Sequence, residues 1–200
     1  MPGKPAAAAL LSLLLAACAA QQMLPPDNAN WQQHSNALRE LTRWSAEGKL
    51  ALRTPDQSES ASLNWHQTGH ITRLQLSGPL GAAATTLYSD GKTLEVRQGE
   101  ELVSWDLADS KALSQQTGWD LPLLSLPHWI KGLPAPDIAI QEMLMGPNQA
   151  LIETLRQDDW EIRYEAYAAF GAFTLPTRLH IQRADTSVRL IIRDWQPGPH

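Results

Sequence analysis

GKLALRTPDQSESASLNWHQTGHITRLQLS, residues 48–77, decides the fold class. Leu50 and Leu52 alternate with Lys49, Ala51 and Arg53. Ala61, Leu63 and Trp65 alternate with Ser60, Ser62, Asn64 and His66. Thr68-Gly69 reads as a turn, after which Ile71 to Ser77 returns with Leu74 and Leu76 on one face. A period of two sends successive side chains to opposite faces of an extended chain. Short runs of this kind, separated by turn residues, specify antiparallel strands with one covered face.

The same period continues toward the C-terminus. Ala82 to Ser89 is a further strand, and Asp90-Gly91 is a type I′ hairpin signal. Lys92 to Gln98 follows with Leu94 and Val96, then Glu100 to Asp106 with Val103 and Trp105. Residues 110–133 break the pattern. Ser110 to Thr117 reads as a short helix ending at Gly118. Leu123 to Lys131 reads as a second, with Leu123, Leu126, Trp129 and Ile130 on one side and Gly132 as its stop. Pro127 would kink or split it. Strands resume at Gln149 to Gln157. Trp160, Ile162 and Tyr164 then alternate with charged residues, and Arg178 to Arg183 and Val188 to Trp195 close the chain. Toward the N-terminus, Asp27 to Trp44 reads as a helix capped by Asp27 or Asn28, with Trp31, Leu38, Leu41 and Trp44 as its apolar stripe.

The expected fold is mainly β: one strongly curved antiparallel sheet, or partial barrel, whose concave face is covered by three helices. The core is then either dry and filled or retains a cavity.

Composition agrees with a globular domain, at 43% hydrophobic and 18% charged residues in 200. The formal charge is −5, which offers no electrostatic basis for nucleic-acid binding. Eight tryptophans stand against two phenylalanines, a balance suited to cores, cavity linings and membrane interfaces. The single cysteine, Cys18, allows no internal disulfide.

Ala6 to Ala16 is a small, apolar run interrupted only by Ser12, too short to span a bilayer but of signal-peptide length. It ends in Leu15-Ala16-Ala17-Cys18, which resembles a lipobox, with the sole thiol where a diacylglycerol thioether is made. The expectation is a signal peptide at 1–17, a lipidated N-terminus and tether at 18–28, and one domain at 29–200. By resemblance to enterobacterial lipoproteins, Ala19 after the cysteine points to the outer membrane.

No catalytic signature is present: no G-x-S-x-G, H-E-x-x-H, Walker loop or G-x-G-x-x-G. His66 and His70 straddle a turn but have no acidic or thiol ligand beside them, so both are read as solvent-exposed rather than metal-binding. Enzyme activity, a metal and a cofactor are therefore not expected. Two local features stand out. Gly78-Pro79-Leu80-Gly81 is a turn with an apolar tip, either unremarkable or a loop that dips Leu80 into a membrane or partner. Pro122 to Pro134 is dense in large apolar residues, either a core helix or a lid over a ligand cavity.

These features together resemble the LolB family of outer-membrane lipoprotein receptors. The resemblance rests on Trp31, Gly48, Trp65 with Gln67-Thr68-Gly69, Pro79-Leu80-Gly81, the Pro122 to Pro134 segment, Trp160 with Tyr164, and Asp194-Trp195. It implies a half-open barrel with a helical lid and a hydrophobic cavity that takes acylated lipoproteins from a periplasmic carrier. It implies delivery into the inner leaflet of the outer membrane, with Leu80 in the membrane-inserting loop. Strand parity and the lid match give Leu50, Leu52, Leu63, Trp65, Leu74, Leu76, Leu94, Val96, Trp105, Trp129, Ile130, Ile162 and Tyr164 as cavity candidates. A monomer is expected. Two other readings stay open: a module for a free lipid or small apolar ligand, and a structural outer-membrane lipoprotein.

Overall fold

The computed structural model describes residues 26–78, 84–108, 122–147 and 149–198. Helix α1 (Pro26–Glu40) leads into β1 (Arg43–Arg53), β2 (Ser58–Thr68), β3 (Ile71–Ser77), β4 (Thr85–Ser89), β5 (Thr93–Gln98) and β6 (Glu101–Asp106). A one-turn helix α2 (Leu126–Trp129) precedes β7 (Ile140–Met145), β8 (Ile152–Gln157), β9 (Trp160–Phe170), β10 (Phe173–Arg183) and β11 (Thr186–Pro197). All eleven strands form one antiparallel sheet in the order β6-β5-β4-β3-β2-β1-β11-β10-β9-β8-β7. Two meanders, β1 to β6 and β7 to β11, meet where β1 pairs with β11. The sheet does not close. Strands β6 and β7 are its two edges, so residues 107–139 must carry the chain from one edge to the other.

Alternation fixes which face is covered. Trp44, Ala46 and Leu52 of β1, Leu63 and Trp65 of β2, and Val188, Leu190 and Ile192 of β11 are buried, while their sequence neighbours face outward. Trp44 is central to this packing, its ring 5.4 Å from Trp65 and 5.1 Å from Trp195. Gly48 opens the bulge at which β1 and β11 slip by one residue. A Cβ on Gly48 would overlap the Ile191 carbonyl oxygen, so only glycine fits there.

The structure departs from the sequence reading in several places. Trp44 is in β1, not in the helix, because residues 44–47 find strand partners on both sides. Asp27 and Asn28 fall inside the first turn of α1 rather than capping it. Strand β7 was not legible, since IQEMLM has no clean alternation and carries two register shifts. Strands β9 and β10 are longer than expected, and Pro176 lies within β10 at a bulge, where no ladder donor is needed. Only Leu126–Trp129 of the expected Leu123 to Lys131 helix is helical. Pro127 sits in its first turn, where a missing N–H costs nothing. The expected helix at Ser110 to Thr117 lies outside the described residues.

Asp90-Gly91 does join two strands, but not as a type I′ turn. Ser89 pairs with Leu94, and of Asp90 and Gly91 only Gly91 has positive φ. Asp90 Oδ1 instead accepts hydrogen bonds from the backbone N–H groups of Lys92 and Thr93 and from the Thr93 hydroxyl, at 2.8–2.9 Å. Those bonds hold its carboxyl down at about 2.

Candidate functional site

The concave face has a filled half and an open half. Residues 126–138 lie over β8–β10 and are pinned there by polar groups buried among apolar ones. Gln157 of β8 is fully buried. Its Oε1 accepts from Trp129 Nε1 at 2.9 Å and from the Ala135 N–H at 2.8 Å. Its Nε2 donates to the carbonyls of Ala135 and Ile138. All four hydrogen-bonding positions of the amide are used, which is what makes its burial affordable. Tyr164 donates its hydroxyl to the Trp129 carbonyl at 2.9 Å. Burial pushes the Tyr164 hydroxyl well above its ordinary value, so it remains a donor.

Lys131 ties the same segment to α1. Its Nζ donates to the Leu38 and Leu41 carbonyls at 2.9 and 3.0 Å. These carbonyls end the helix, where a cation also meets the negative end of the dipole. Burial lowers the Lys131 ammonium to about 8. Sequence reasoning missed both Gln157 and Lys131. A polar residue at a covered strand position, and a lysine between Ile130 and Gly132, were the only signals.

The other half, over β1–β5, is not filled. A cavity of about 460 Å³ is walled by Leu50, Leu52, Ala61, Leu74, Leu76, Leu87 and Val188, with Leu123 and Leu126 over it and Glu59 and Gln98 among its polar groups. A second of about 260 Å³ is walled by Trp65, Leu74, Leu87, Leu94 and Leu107, with His70, Tyr88 and His128 among its polar groups. Leu74, Leu87, Leu123 and Leu126 belong to both walls. The larger has the size of pockets that enclose small apolar ligands, ~300–1,000 Å³. Burial, reinforced by the Lys131 charge, lowers the His128 imidazole, so it is more readily neutral. At the inner end of the smaller cavity Gln67 accepts from Trp65 Nε1 at 3.1 Å and from the Thr72 hydroxyl at 2.8 Å, and donates to the Gly69 carbonyl. This is the structural content of the Trp65 to Gly69 motif.

The sequence-derived cavity set therefore divides. Leu50, Leu52, Trp65, Leu74, Leu76 and Leu94 line the two cavities. Trp129, Ile130, Ile162 and Tyr164 are buried in the filled half and line neither. Leu63 is buried in the same core, with Val96 and Trp105 half-buried against it. The segment read as either core or lid is both: its Trp129 to Leu133 part is core, and Leu123 and Leu126 cover the cavities. His66 and His70 are exposed. Cys18 and Pro79, Leu80 and Gly81 lie outside the described residues.

The chain is thus an unclosed antiparallel sheet around an apolar cavity, with a helix and a crossing segment packed over one face. A LolA superfamily protein from Nitrosomonas europaea superposes with a TM-score of 0.51 at 12% identity, covering 88% of this chain and 96% of that one. A DUF1329 family protein from Desulfovibrio piger does so at 0.54 and 9% identity, covering 88% and 94%. At those identities the likeness is one of fold. Sequence is more specific. The family model described as outer membrane lipoprotein LolB matches residues 42–195. The outer-membrane lipoprotein LolB of Stutzerimonas stutzeri is 38% identical over 177 residues, covering 86% of this chain and 83% of its own length. That of Pseudomonas putida is 36% identical over 175 residues, covering 86% and 82%. The chain belongs to the LolB family of outer-membrane lipoproteins.

Proposed function

We propose that the chain is the receptor that accepts acylated lipoproteins from a periplasmic carrier and delivers them to the inner leaflet of the outer membrane. The observation that carries this is the unfilled apolar cavity over β1–β5 in a LolB-family sheet. Acyl chains exposed to water cost ~25 cal/mol per Å², so a carrier must cover them and a receptor must offer a better apolar site. With no nucleotide motif in the sequence, transfer runs down a gradient of binding free energy. Leu50, Leu52, Leu74 and Leu76 hold the chains, and Leu123 and Leu126 cover them. The role is binding and release, not chemistry, and the protein acts as a monomer.

Cys18, after removal of residues 1–17, is the lipidated anchor, and the stretch from Cys18 to the start of α1 tethers the domain. Leu80, which lies between β3 and β4 in the sequence, enters the bilayer during release. Replacing Leu80 by a polar residue should leave uptake intact and slow release into liposomes; unchanged release would remove this role.

The deciding test mixes the mature chain carrying Cys18→Ala with a lipoprotein–carrier complex of matched species. A pull-down then shows which protein holds the lipoprotein. Transfer to this chain supports the receptor reading. No transfer by a folded sample sinks it, and mass analysis of extracted ligand would then ask whether the cavity holds a free lipid.

A further inference from the structure

The convex face carries a feature that the cavity does not explain. One rung of the sheet runs Arg178, Ile191, Lys49 across β10, β11 and β1. The next runs His180, Arg189, Ala51, and Arg53 follows at the end of β1. Lys49, Arg53, Arg178 and Arg189 are all exposed, and Ile191 among them is 43% exposed. Among the described residues no ion pair involves Lys49, Arg53 or Arg189, and Arg178 reaches a carboxylate only at 3.9 Å, on Glu165. Lys49 and Arg189 lie diagonally across the β1–β11 pair, where like charges repel, and of the four cations only Arg178 has a carboxylate beside it among the described residues. The patch stands on a chain whose formal charge is −5. The carboxylates on the same strands, Glu47 and Asp194, lie beyond the bulge on one side, and Glu161 and Glu165 lie on β9. The Lys49 rung continues through Ser62 to Ser77, the last residue of β3. One strand, β2, lies between the patch and the end of β3.

We propose that this patch docks on the headgroups of anionic phospholipids and sets how the protein sits on its membrane. Charge complementarity selects the occupant, because an acidic protein meets an anionic bilayer only through the face where its cations are concentrated. Ile191 adds apolar contact at the centre. The inference goes beyond the receptor reading and takes from it only the anchor. Seven residues separate Cys18 from α1, a reach of at most ~3.5 Å each, so the domain stays close to the bilayer and one face must meet it.

The test is sedimentation of the mature chain carrying Cys18→Ala with vesicles of neutral phosphatidylcholine or of phosphatidylcholine with phosphatidylglycerol. Binding should favour the anionic vesicles and weaken with salt. The Lys49→Glu/Arg189→Glu pair should reduce it at least ~tenfold, and Lys92→Glu/Arg97→Glu, the same charge change elsewhere, much less. Both pairs should melt as the parent does. Equal binding to both vesicle types, or equal loss from both pairs, overturns the proposal. Unchanged vesicle binding with lost transfer from the carrier also overturns it, in favour of an acidic protein. Carrier-to-receptor transfer in solution, measured on the same samples, is unaffected by the patch; its absence in the parent would sink the receptor reading while leaving the vesicle result to stand alone.

Discussion

Gln157 shows how a single residue can hold a functional surface in place. Its side chain satisfies Trp129 and Ala135 donors that no water reaches. Gln157→Leu keeps the volume and strands those donors, each at ~1–3 kcal/mol, so denaturant unfolding should show a loss of about 2–5 kcal/mol. Gly48 is the other sensitive position. Gly48→Ala places a methyl group on the Ile191 carbonyl and should cost about 3 kcal/mol or more, read in the same assay. The sequence reading opens the first strand at Gly48, whereas the strand begins at Arg43, so the demand for glycine there came only from its pairing with β11. Gln157 was not legible in the sequence, because strand parity cannot distinguish a polar residue facing solvent from one facing buried donors.

At the scale of elements, the crossing segment divides the concave face. Its C-terminal part is fixed by Gln157, Tyr164 and Lys131. Its N-terminal part is held by turn hydrogen bonds to the Pro122 carbonyl and leaves Leu123 and Leu126 over open space. Leu126 borders both cavities, so Leu126→Trp should narrow both. Affinity for a synthetic lipopeptide should fall about tenfold, or ~1.4 kcal/mol, with little change in melting temperature. Ile162→Ala should do the reverse: it lies in the filled half, so stability should fall by ~2–5 kcal/mol while affinity among folded molecules changes little. Most strands were legible because a covered face enforces alternation. β7 was not, since an edge strand with two bulges has no period to read. The reach of the second helix was misjudged because apolar spacing is satisfied as well by a turn packed into a core as by a helix.

For the whole molecule, pH reports how the halves are joined. The Lys131 ammonium is lowered from its ordinary 10.5 to about 8. Between those values the unfolded chain holds a proton that the folded chain has released, so the free energy of unfolding should rise with pH across that window. Lys131→Met should flatten this rise. His34 and His128 are also lowered by burial, so below about 6.5 the unfolded chain takes up protons first and stability should fall. Chemical denaturation at a series of pH values checks both slopes. What the sequence determined by itself was local or pairwise: the antiparallel sheet, the inward set of each strand and the family resemblance. All of these follow from side-chain alternation and short motifs. Only the tertiary structure decided which inward residues face a cavity and which are packed solid. A residue's parity gives its side of the sheet, but what covers it comes from elsewhere in the chain. Ile162 and Leu50 read alike in sequence, yet one lies in the filled half with Trp129 and Ile130 while the other lies under open space.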